Sequence, residues 1–183
     1  MIDFSNVTGI TIPEGRVRVI QIGGVQMWKG SALNLVTTSI DTDGSIYNGT
    51  GYMEDYRLNS SGVVTAQSDA IHSGFIPYTW GGVIRAAGST ATIGVSGHYI
   101  AFYDESFTCV KSITSSSVAT SSGTYGSYSQ RDDGTYLLTV INLDTFFEVN
   151  YPDIDTSTIK YVRVSMPVCK GDDFIVTIDE EIV

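Results

Sequence analysis

The chain is poor in the residues that build metal centres and disulfide frameworks, since its 183 residues include only two cysteines and two histidines. Cys109 and Cys169 each lie in an apolar, strand-like segment, where a reduced thiol packs as a small hydrophobic side chain. His72 and His98 have no cysteine or second histidine at metal-ligand spacing. The sequence therefore favours reduced cysteines over a disulfide, and it predicts neither a zinc site nor a cofactor.

Positive charge and long apolar runs are also scarce. The 10 Lys and Arg residues stand against 20 Asp and Glu residues, which leaves a formal net charge of −10. Because a nucleic-acid partner requires a basic stripe, we expect no nucleic-acid binding. No stretch of about 18 apolar residues is present to span a bilayer, and the start, Met-Ile-Asp-Phe-Ser-Asn, lacks the features of a signal peptide. We therefore expect synthesis in a cytoplasm and no membrane insertion.

Catalytic signatures are missing from the sequence as well. The adjacent carboxylates of Asp104/Glu105 and of Asp132/Asp133 point to opposite faces of an extended chain, so neither pair can flank a glycosidic bond by itself. There is no Gly-x-Ser-x-Gly nucleophile elbow, and the glycine pairs precede predicted strands rather than helices. We therefore expect a protein that is not an enzyme.

One acidic segment is similar to the opening of a calcium-binding loop. Asp41-Thr-Asp43-Gly44 places carboxylates at alternate positions, which is the arrangement that a hard cation prefers. The position that should carry the bidentate Glu of such a loop is instead Tyr52, and Glu54 comes two residues too late. An Asp-Gly turn is the better interpretation, although the sequence leaves open a calcium ion near Asp41 and Asp43.

What the sequence does contain is a series of short apolar segments separated by turn residues, which is typical of a sandwich or barrel. The most distinctive is Tyr99–Tyr103, followed by the polar turn Asp104-Glu105-Ser106 and a second apolar segment, and it predicts a hairpin with Ile100 and Phe102 facing the core. We therefore predict an all-β protein with a jelly-roll-like antiparallel β-sandwich at residues 31–183. The candidate strands are Ile46–Tyr47, Tyr56–Leu58, His72–Pro77, Val83–Ala87, Tyr99–Tyr103, Phe107–Ile113, Tyr136–Leu143, Ile159–Met166 and Asp173–Ile178.

Residues 1–30 are predicted to form a separate N-terminal β-hairpin. Gly23-Gly24 supplies the turn, and strict pairing places Ile22 opposite Val25 and Ile20 opposite Met27. A two-stranded hairpin is marginal in water, so its apolar face must be buried, either against the chain's own sandwich or against another subunit. We interpret it as an attachment segment. Its predicted attachment face consists of Ile20, Ile22, Val25, Met27 and Trp28.

Two aromatic segments are candidates for contact with a glycan or a partner. Trp80 follows Tyr78 in a predicted loop, where an indole ring could stack on a sugar, anchor a subunit contact or simply pack within the loop. Residues 112–133 are rich in Ser, Thr, Gly and Tyr, which predicts a long exposed loop carrying Tyr125 and Tyr128. A solvated surface loop remains the alternative interpretation of this second segment.

Several segments taken together resemble virion proteins of tailed bacteriophages and prophages. The resemblance implies a tail, baseplate or fibre-associated protein, in which a short attachment segment precedes a β-sandwich similar to carbohydrate-binding modules. The sequence departs from the pattern at Tyr78-Thr-Trp80, where a Gly-Asp turn usually follows Pro77. The resemblance is carried by Ile12-Pro-Glu-Gly15, the hairpin ending in Trp28, the segment from Asn34 to Tyr52, the segment from Asp55 to Gly62, His72-Ser-Gly-Phe-Ile-Pro77, Val83-Ile-Arg85 and Tyr99-Ile-Ala-Phe-Tyr-Asp104.

The function implied by this resemblance is that of a structural virion component, assembled in the host cytoplasm. Its expected partners are other virion proteins, further copies of itself in a homo-oligomer, and a glycan on the host surface. Two alternatives stay open at the level of sequence. One is a dedicated glycan-binding receptor protein, and the other is a capsid or tail decoration protein that stabilises the particle without touching the host.

Overall fold

The computed structural model describes residues 51–88, 99–119, 123–167 and 173–179, together with the backbone of three short strands at 19–22, 25–29 and 38–39. The chain divides into two compact units, Met1–Ser31 and Ala32–Val183. Among the described residues, no helix has the length and hydrophobicity that crossing a membrane requires.

The first unit contains the predicted hairpin, formed by strand β1 (Val19–Ile22) and strand β2 (Val25–Lys29). Ile22 pairs with Val25 and Gln21 with Gln26, as predicted, but Ile20 then pairs with Trp28 rather than with Met27. The predicted register of this outer half is wrong because a β-bulge inserts Met27 as an extra residue of β2. The side chains of the predicted attachment face lie outside the described residues.

The second unit is built mainly from short strands. Of the strands that the structure describes in this unit, seven form the larger sheet, which we call sheet A, in the order β3-β4-β5-β12-β8-β9, with β6 also pairing with β12. Four form sheet B, in the order β10-β11-β7-β13. The elements are β3 (Thr38–Ser39), β4 (Gly51–Leu58), β5 (Val64–Ser73), β6 (Ile76–Pro77), β7 (Ile84–Gly88), β8 (Tyr99–Tyr103), β9 (Cys109–Thr114), α1 (Ser115–Val118), β10 (Gly126–Gln130), β11 (Tyr136–Val140), α2 (Leu143–Asn150), a 3-10 turn (Thr156–Thr158), β12 (Tyr161–Pro167) and β13 (Ile175–Ile178).

The chain passes repeatedly between the two sheets, as it does in β-sandwiches. Strand β12 returns to sheet A and inserts between β5 and β8, while β13 adds to β7 at the end of sheet B. Between the strands described in this unit, all pairings are antiparallel except that of β3 with β4. The predicted all-β, jelly-roll-like sandwich is therefore confirmed. One apolar core lies between the sheets and includes Ile71, Ile84, Ile100, Phe102, Leu138, Val162, Val164 and Val176.

The hairpin of β8 and β9 is present as predicted. Ile100 and Phe102 lie in the core between the sheets, and the alternating residues Ala101 and Tyr103 face the other side of sheet A. The carboxylate of Asp104 accepts hydrogen bonds from the backbone N–H groups of Ser106 (2.8 Å) and Thr108 (2.9 Å), which is the turn chemistry expected of an aspartate. The hairpin lies at one end of sheet A, where β8 pairs with β12 and β9 is the last described strand.

The outer face of sheet A carries a second, smaller apolar cluster, formed by Leu58, Phe75, Ala101 and Tyr103. The hydroxyl of Tyr103 donates a hydrogen bond of 2.6 Å to the carbonyl oxygen of Gly62. The buried guanidinium of Arg163 lies 4.5 Å from the centroid of the Phe75 ring, and its Nε donates to the Ser73 carbonyl oxygen at 3.0 Å. This cluster fixes the long turn after β4 onto the β8–β9 hairpin.

Two further sequence predictions about regular structure are wrong. The run from Tyr136 to Leu143 was expected to be one strand, but the strand ends at Val140 and helix α2 begins at Leu143. The break lies at Asn142, whose φ of 51° and ψ of 37° place it in the left-handed region. Asparagine tolerates that region better than most residues, and here its Nδ2 also donates to the carbonyl oxygen of Thr124, on the segment before β10, at 2.9 Å.

The segment 112–133 is not the long exposed loop that its composition suggests. Strand β9 continues to Thr114, the short helix α1 follows, and β10 occupies Gly126–Gln130. Strand β10 pairs with β11 over five residues, from Gly126 opposite Val140 to Gln130 opposite Tyr136. The residues of β10 are therefore held in a strand by backbone hydrogen bonds to β11. Most of their side chains are too small or too polar to produce the apolar alternation from which a strand is predicted.

Candidate functional site

The Trp80 side chain is held by a tight turn between β6 and β7. The backbone N–H of Gly82 donates to the Thr79 carbonyl oxygen at 3.0 Å, which closes a four-residue turn with Trp80 and Gly81 at its centre. Gly81 has a φ of +88°, the left-handed conformation that the third position of a type II turn requires. A glycine at this position therefore sets the direction in which the preceding indole projects.

The base of this turn is fixed by hydrogen bonds from two sides. The buried Tyr78 hydroxyl donates to the Gly82 carbonyl oxygen at 2.7 Å, and the Tyr78 backbone N–H donates to the Lys160 carbonyl oxygen at 2.8 Å. A carboxylate oxygen of Asp179 accepts from the Val83 backbone N–H at 2.8 Å. The Trp80 turn is thereby anchored to the segments that precede β12 and follow β13.

One side of the Trp80 ring packs on the core. Its centroid lies 4.9 Å from that of Phe147, with the planes at 81°, and 5.7 Å from that of Phe102, with the planes at 71°. These edge-to-face contacts are favourable for aromatic rings and restrict the orientation of the indole. Trp80 is nevertheless only half-buried, so part of the ring remains accessible.

Helix α2 supplies the opposite wall of the site. Its buried stripe is Leu143, Phe146 and Phe147, at the i, i+3 and i+4 spacing of an amphipathic helix. Asp144 and Glu148 lie one turn apart on a neighbouring side of the helix, and Tyr151 directly follows its last residue, Asn150. Asp144 lies in the first turn, where a negative charge also favours the helix dipole.

These elements enclose a shallow cleft of about 100 Å³. The cleft brings aromatic rings together with the exposed carboxylates of Asp144 and Glu148. Its remaining wall is formed by residues 152–156, which lead into the 3-10 turn. The residues that line the cleft are Trp80, Asp144, Phe147, Glu148, Tyr151, Pro152, Ile154 and Thr156.

The far wall of the cleft is ordered by a capping aspartate. Asp155 accepts hydrogen bonds from the backbone N–H of Ser157 at 3.0 Å and from its hydroxyl at 2.6 Å. The side-chain bond from Ser157 is the main reason that the pKa of Asp155 lies below its ordinary value. The pair begins the 3-10 turn and so positions Ile154 and Thr156 at the cleft.

The surroundings of the Trp80 turn are acidic. Burial raises the pKa of the Tyr78 hydroxyl well above its ordinary value, and the nearby charges of Asp179 and Asp144 raise it further. Two cations lie close to residues of the cleft walls: Lys111 Nζ is 3.9 Å from the centroid of the Tyr151 ring, and Lys160 Nζ donates to the Ser157 carbonyl oxygen at 3.1 Å. Lys111 itself is not among the residues that line the cleft.

The structure brings together only some of the residues that the sequence singled out. Tyr78 and Trp80 share one turn, with ring centroids 6.3 Å apart, and only Trp80 lines the cleft. Tyr125 instead packs edge-on against Phe146 at 5.1 Å, and Tyr128 stacks against a cross-strand tyrosine, Tyr136, at 5.6 Å. Both Tyr125 and Tyr128 are half-buried, so they do not project from an exposed loop.

Sequence reasoning missed the residues of α2 that complete the cleft. Asp144, Phe147 and Glu148 recur at i, i+3 and i+4, which is helical spacing, and Tyr151 directly follows the helix. The apolar run Tyr136–Leu143 predicts a strand, and the helical spacing of the residues that follow Leu143 was not recognised.

Metal sites are not evident in the part of the chain that the structure describes, where no three His, Cys, Asp or Glu side chains form a group able to hold an ion. The calcium candidates Asp41 and Asp43 lie outside the described residues, as do His98 and Cys169. Cys109 is a free, half-buried cysteine, and burial raises its pKa.

Comparison of the chain with known protein families, with curated proteins and with solved structures found no match.

Proposed function

We propose that this chain is a non-enzymatic structural component of a phage tail, baseplate or fibre, and that its sandwich contacts host surface glycans through the Trp80 cleft. The observation that carries the glycan contact is the half-exposed indole of Trp80, held beside the carboxylates of Asp144 and Glu148. The particle assignment is supported by the resemblance of the sequence segments to virion proteins.

The chemistry of the cleft suits a sugar. The C–H groups on one face of a pyranose pack against an aromatic ring, and an indole gives the largest such surface. Carboxylates accept hydrogen bonds from sugar hydroxyls, and the Thr156 hydroxyl at the far wall can donate or accept. The edge-to-face contacts with Phe147 and Phe102 fix the ring before the ligand arrives, which lowers the entropy cost of binding.

The size of the cleft indicates weak binding by a single copy. Its volume of about 100 Å³ is well below the roughly 300 Å³ at which typical ligand pockets begin, so it accommodates part of one sugar residue. Several copies in a symmetric assembly raise the effective affinity without further contacts at each site. A homo-oligomer within a particle is therefore part of the proposal.

The placement of the carboxylates supports binding rather than hydrolysis. Glycosidases set one carboxyl on each side of the scissile bond. Asp144 and Glu148 lie one turn apart on the same stripe of α2, so both approach a ligand in the cleft from the same side. They are suited to orienting hydroxyl groups.

The first unit is proposed to attach the chain to another virion protein. An isolated two-stranded hairpin is at best marginally stable in water, so β1 and β2 require a partner surface. Deleting residues 1–30 should abolish incorporation into particles while leaving glycan binding by the purified sandwich in place. Particles that assemble without the chain but break more readily would instead favour a decoration protein.

A glycan array probed with the full chain tests the contact. We expect signal that is lost in Trp80→Ala and reduced in Glu148→Gln, an exposed and nearly isosteric change that does not disturb the core. Glu105→Gln, at the exposed turn of the β8–β9 hairpin, is the matched control and should bind like the parent. A blank array for the parent chain, or equal signal in all four proteins, overturns the proposed glycan contact.

A further inference from the structure

We propose that the Trp80 cleft selects glycans that carry a free amino group, with the protonated amine held between the indole and the carboxylates of Asp144 and Glu148. This inference rests on the proposed glycan-binding function and names the class of sugar that the site takes. It depends on three features of the cleft: its charge, its aromatic wall and its size.

The charge of the lining is of one sign. Asp144 and Glu148 are both exposed at the rim, and neither lysine nor arginine is among the described residues that line the cleft. Two carboxylates one helical turn apart disfavour an anionic ligand such as a sugar acid or a phosphate. A protonated amine instead forms charge-assisted hydrogen bonds with them, which are stronger than those of a neutral hydroxyl.

The aromatic wall favours the same ligand class. A cation over the face of an indole is attracted by the negative charge of the ring's π system, and Trp gives the strongest attraction among the aromatic residues. The Tyr151 ring is already occupied by a cation of the chain, since Lys111 Nζ lies 3.9 Å from its centroid. Because Lys111 already contacts Tyr151, we assign the contact with the ligand amine to Trp80.

The size of the cleft limits what it can select. A volume of about 100 Å³ holds an amino group and the adjoining edge of one sugar ring, but not a chain of several rings. Recognition must therefore depend on a substituent. An N-acetyl group removes the positive charge and adds bulk, so the site should discriminate a free amine from its acetylated form.

The experiment is an NMR titration of the full chain with glucosamine and with N-acetylglucosamine, at a pH below the pKa of the sugar amine. The readout is the indole N–H signal of Trp80, and the signal of Trp28, the second tryptophan of the chain, serves as an internal reference. We expect glucosamine to bind at least about tenfold more tightly than its N-acetyl form. Glu148→Gln should reduce this preference severalfold, and Glu105→Gln should leave it unchanged.

The outcomes separate the two proposals. Equal binding of the two sugars retains the glycan contact and overturns the preference for an amine. No shift of the Trp80 signal with either sugar overturns both. A lysine derivative with a blocked α-amine is the third probe, and if it shifts Trp80 as strongly as glucosamine does, the sugar assignment is overturned in favour of a protein amine. Loss of the preference in Glu148→Gln, with the folded spectrum intact, supports the proposed role of the carboxylate.

Discussion

The Trp80 indole stands edge-on to the Phe147 ring, with their centroids 4.9 Å apart and their planes at 81°. This contact joins the turn after β6 to helix α2, although strands β7 to β11 lie between these two elements in the sequence. The same ring packs on the core through one part of its surface and lines the cleft with another. Substitutions at Trp80 therefore act on stability and on ligand contact, and the two effects must be measured separately.

The stability effect of Trp80 should depend on the size of the replacement. Trp80→Ala removes the contacts with Phe147 and Phe102, and we expect it to lower the free energy of unfolding by about 2 kcal/mol, less than for a fully buried tryptophan. Trp80→Phe retains an aromatic ring and should cost about 1 kcal/mol or less. Urea unfolding followed by circular dichroism measures both. Equal losses in the two variants would show that the edge-to-face packing contributes little.

Two glycines with positive φ should respond differently to substitution by alanine. Gly81 has a φ of +88° and no atom within 4 Å of the position that a Cβ would take, so Gly81→Ala should cost about 1 kcal/mol from backbone strain alone. Gly62 has a φ of +72°, and a Cβ there would collide with the Sγ of Cys109. Gly62→Ala should therefore cost about 3 kcal/mol, measured by the same urea titration.

The cause of that difference can be tested with a double variant. Cys109→Ala removes the sulfur that the new Cβ would meet, so it should recover at least about 1 kcal/mol of the loss in Gly62→Ala. The pair Gly81→Ala with Cys109→Ala is the control and should be additive. Additive losses for the Gly62 pair as well would assign the whole effect to the backbone conformation.

Two buried tyrosines make stability depend on alkaline pH. Burial is the main cause that raises the pKa of Tyr103 to about 12 from its ordinary value of 10, and burial also raises the pKa of Tyr78. Below pH 10 the folded and unfolded states both keep the Tyr103 proton. Between pH 10 and pH 12 the unfolded state loses the proton and the folded state retains it, so stability falls as pH rises through this window.

The expected loss over that window is about 2 kcal/mol from Tyr103, with a further contribution of the same sign from Tyr78. Tyr103→Phe should be less stable than the parent at neutral pH, since it leaves the buried Gly62 carbonyl oxygen without its hydrogen bond of 2.6 Å. Between pH 10 and pH 12, the free energy of unfolding of Tyr103→Phe should fall less than that of the parent. Parallel curves for the two proteins would show that Tyr103 does not titrate differently in the two states.

The second unit should fold without the first. The buried residues that form its two apolar clusters all lie between Leu58 and Val176, within the unit Ala32–Val183. A chain of residues 32–183 should therefore keep the dispersed NMR spectrum of a folded sandwich and unfold cooperatively. A collapsed spectrum would mean that the hairpin of β1 and β2 is part of the fold, and the proposed attachment role would have to be abandoned.

The sandwich could be predicted from the sequence because its strands are local patterns. Ile100 and Phe102 alternate with Ala101 and Tyr103, and their burial on two faces follows directly from the period of a strand. Strand β10 could not be predicted in this way, because its residues owe their extended conformation to pairing with β11 rather than to apolar alternation. Its composition of Gly, Ser, Tyr and Gln is equally suited to a loop.

The site was only half predictable. Trp80 can be identified from the sequence because a large ring between a predicted strand and Gly81-Gly82 is a pattern of neighbouring residues. The other wall depends on α2, which begins where left-handed Asn142 ends a strand, and no pattern in the preceding apolar run marks that break. The meeting of Trp80 with Glu148 is a consequence of the tertiary fold, since the two residues are 68 positions apart in the sequence.

A reconstruction of an intact particle, with the chain located in it, tests the central claim most directly. The proposed function predicts that the unit Met1–Ser31 is buried against another virion protein and that the Trp80 cleft faces the solvent on the outer side of the particle. A particle that contains no copy of the chain, or one in which a neighbouring protein covers the cleft, would contradict it.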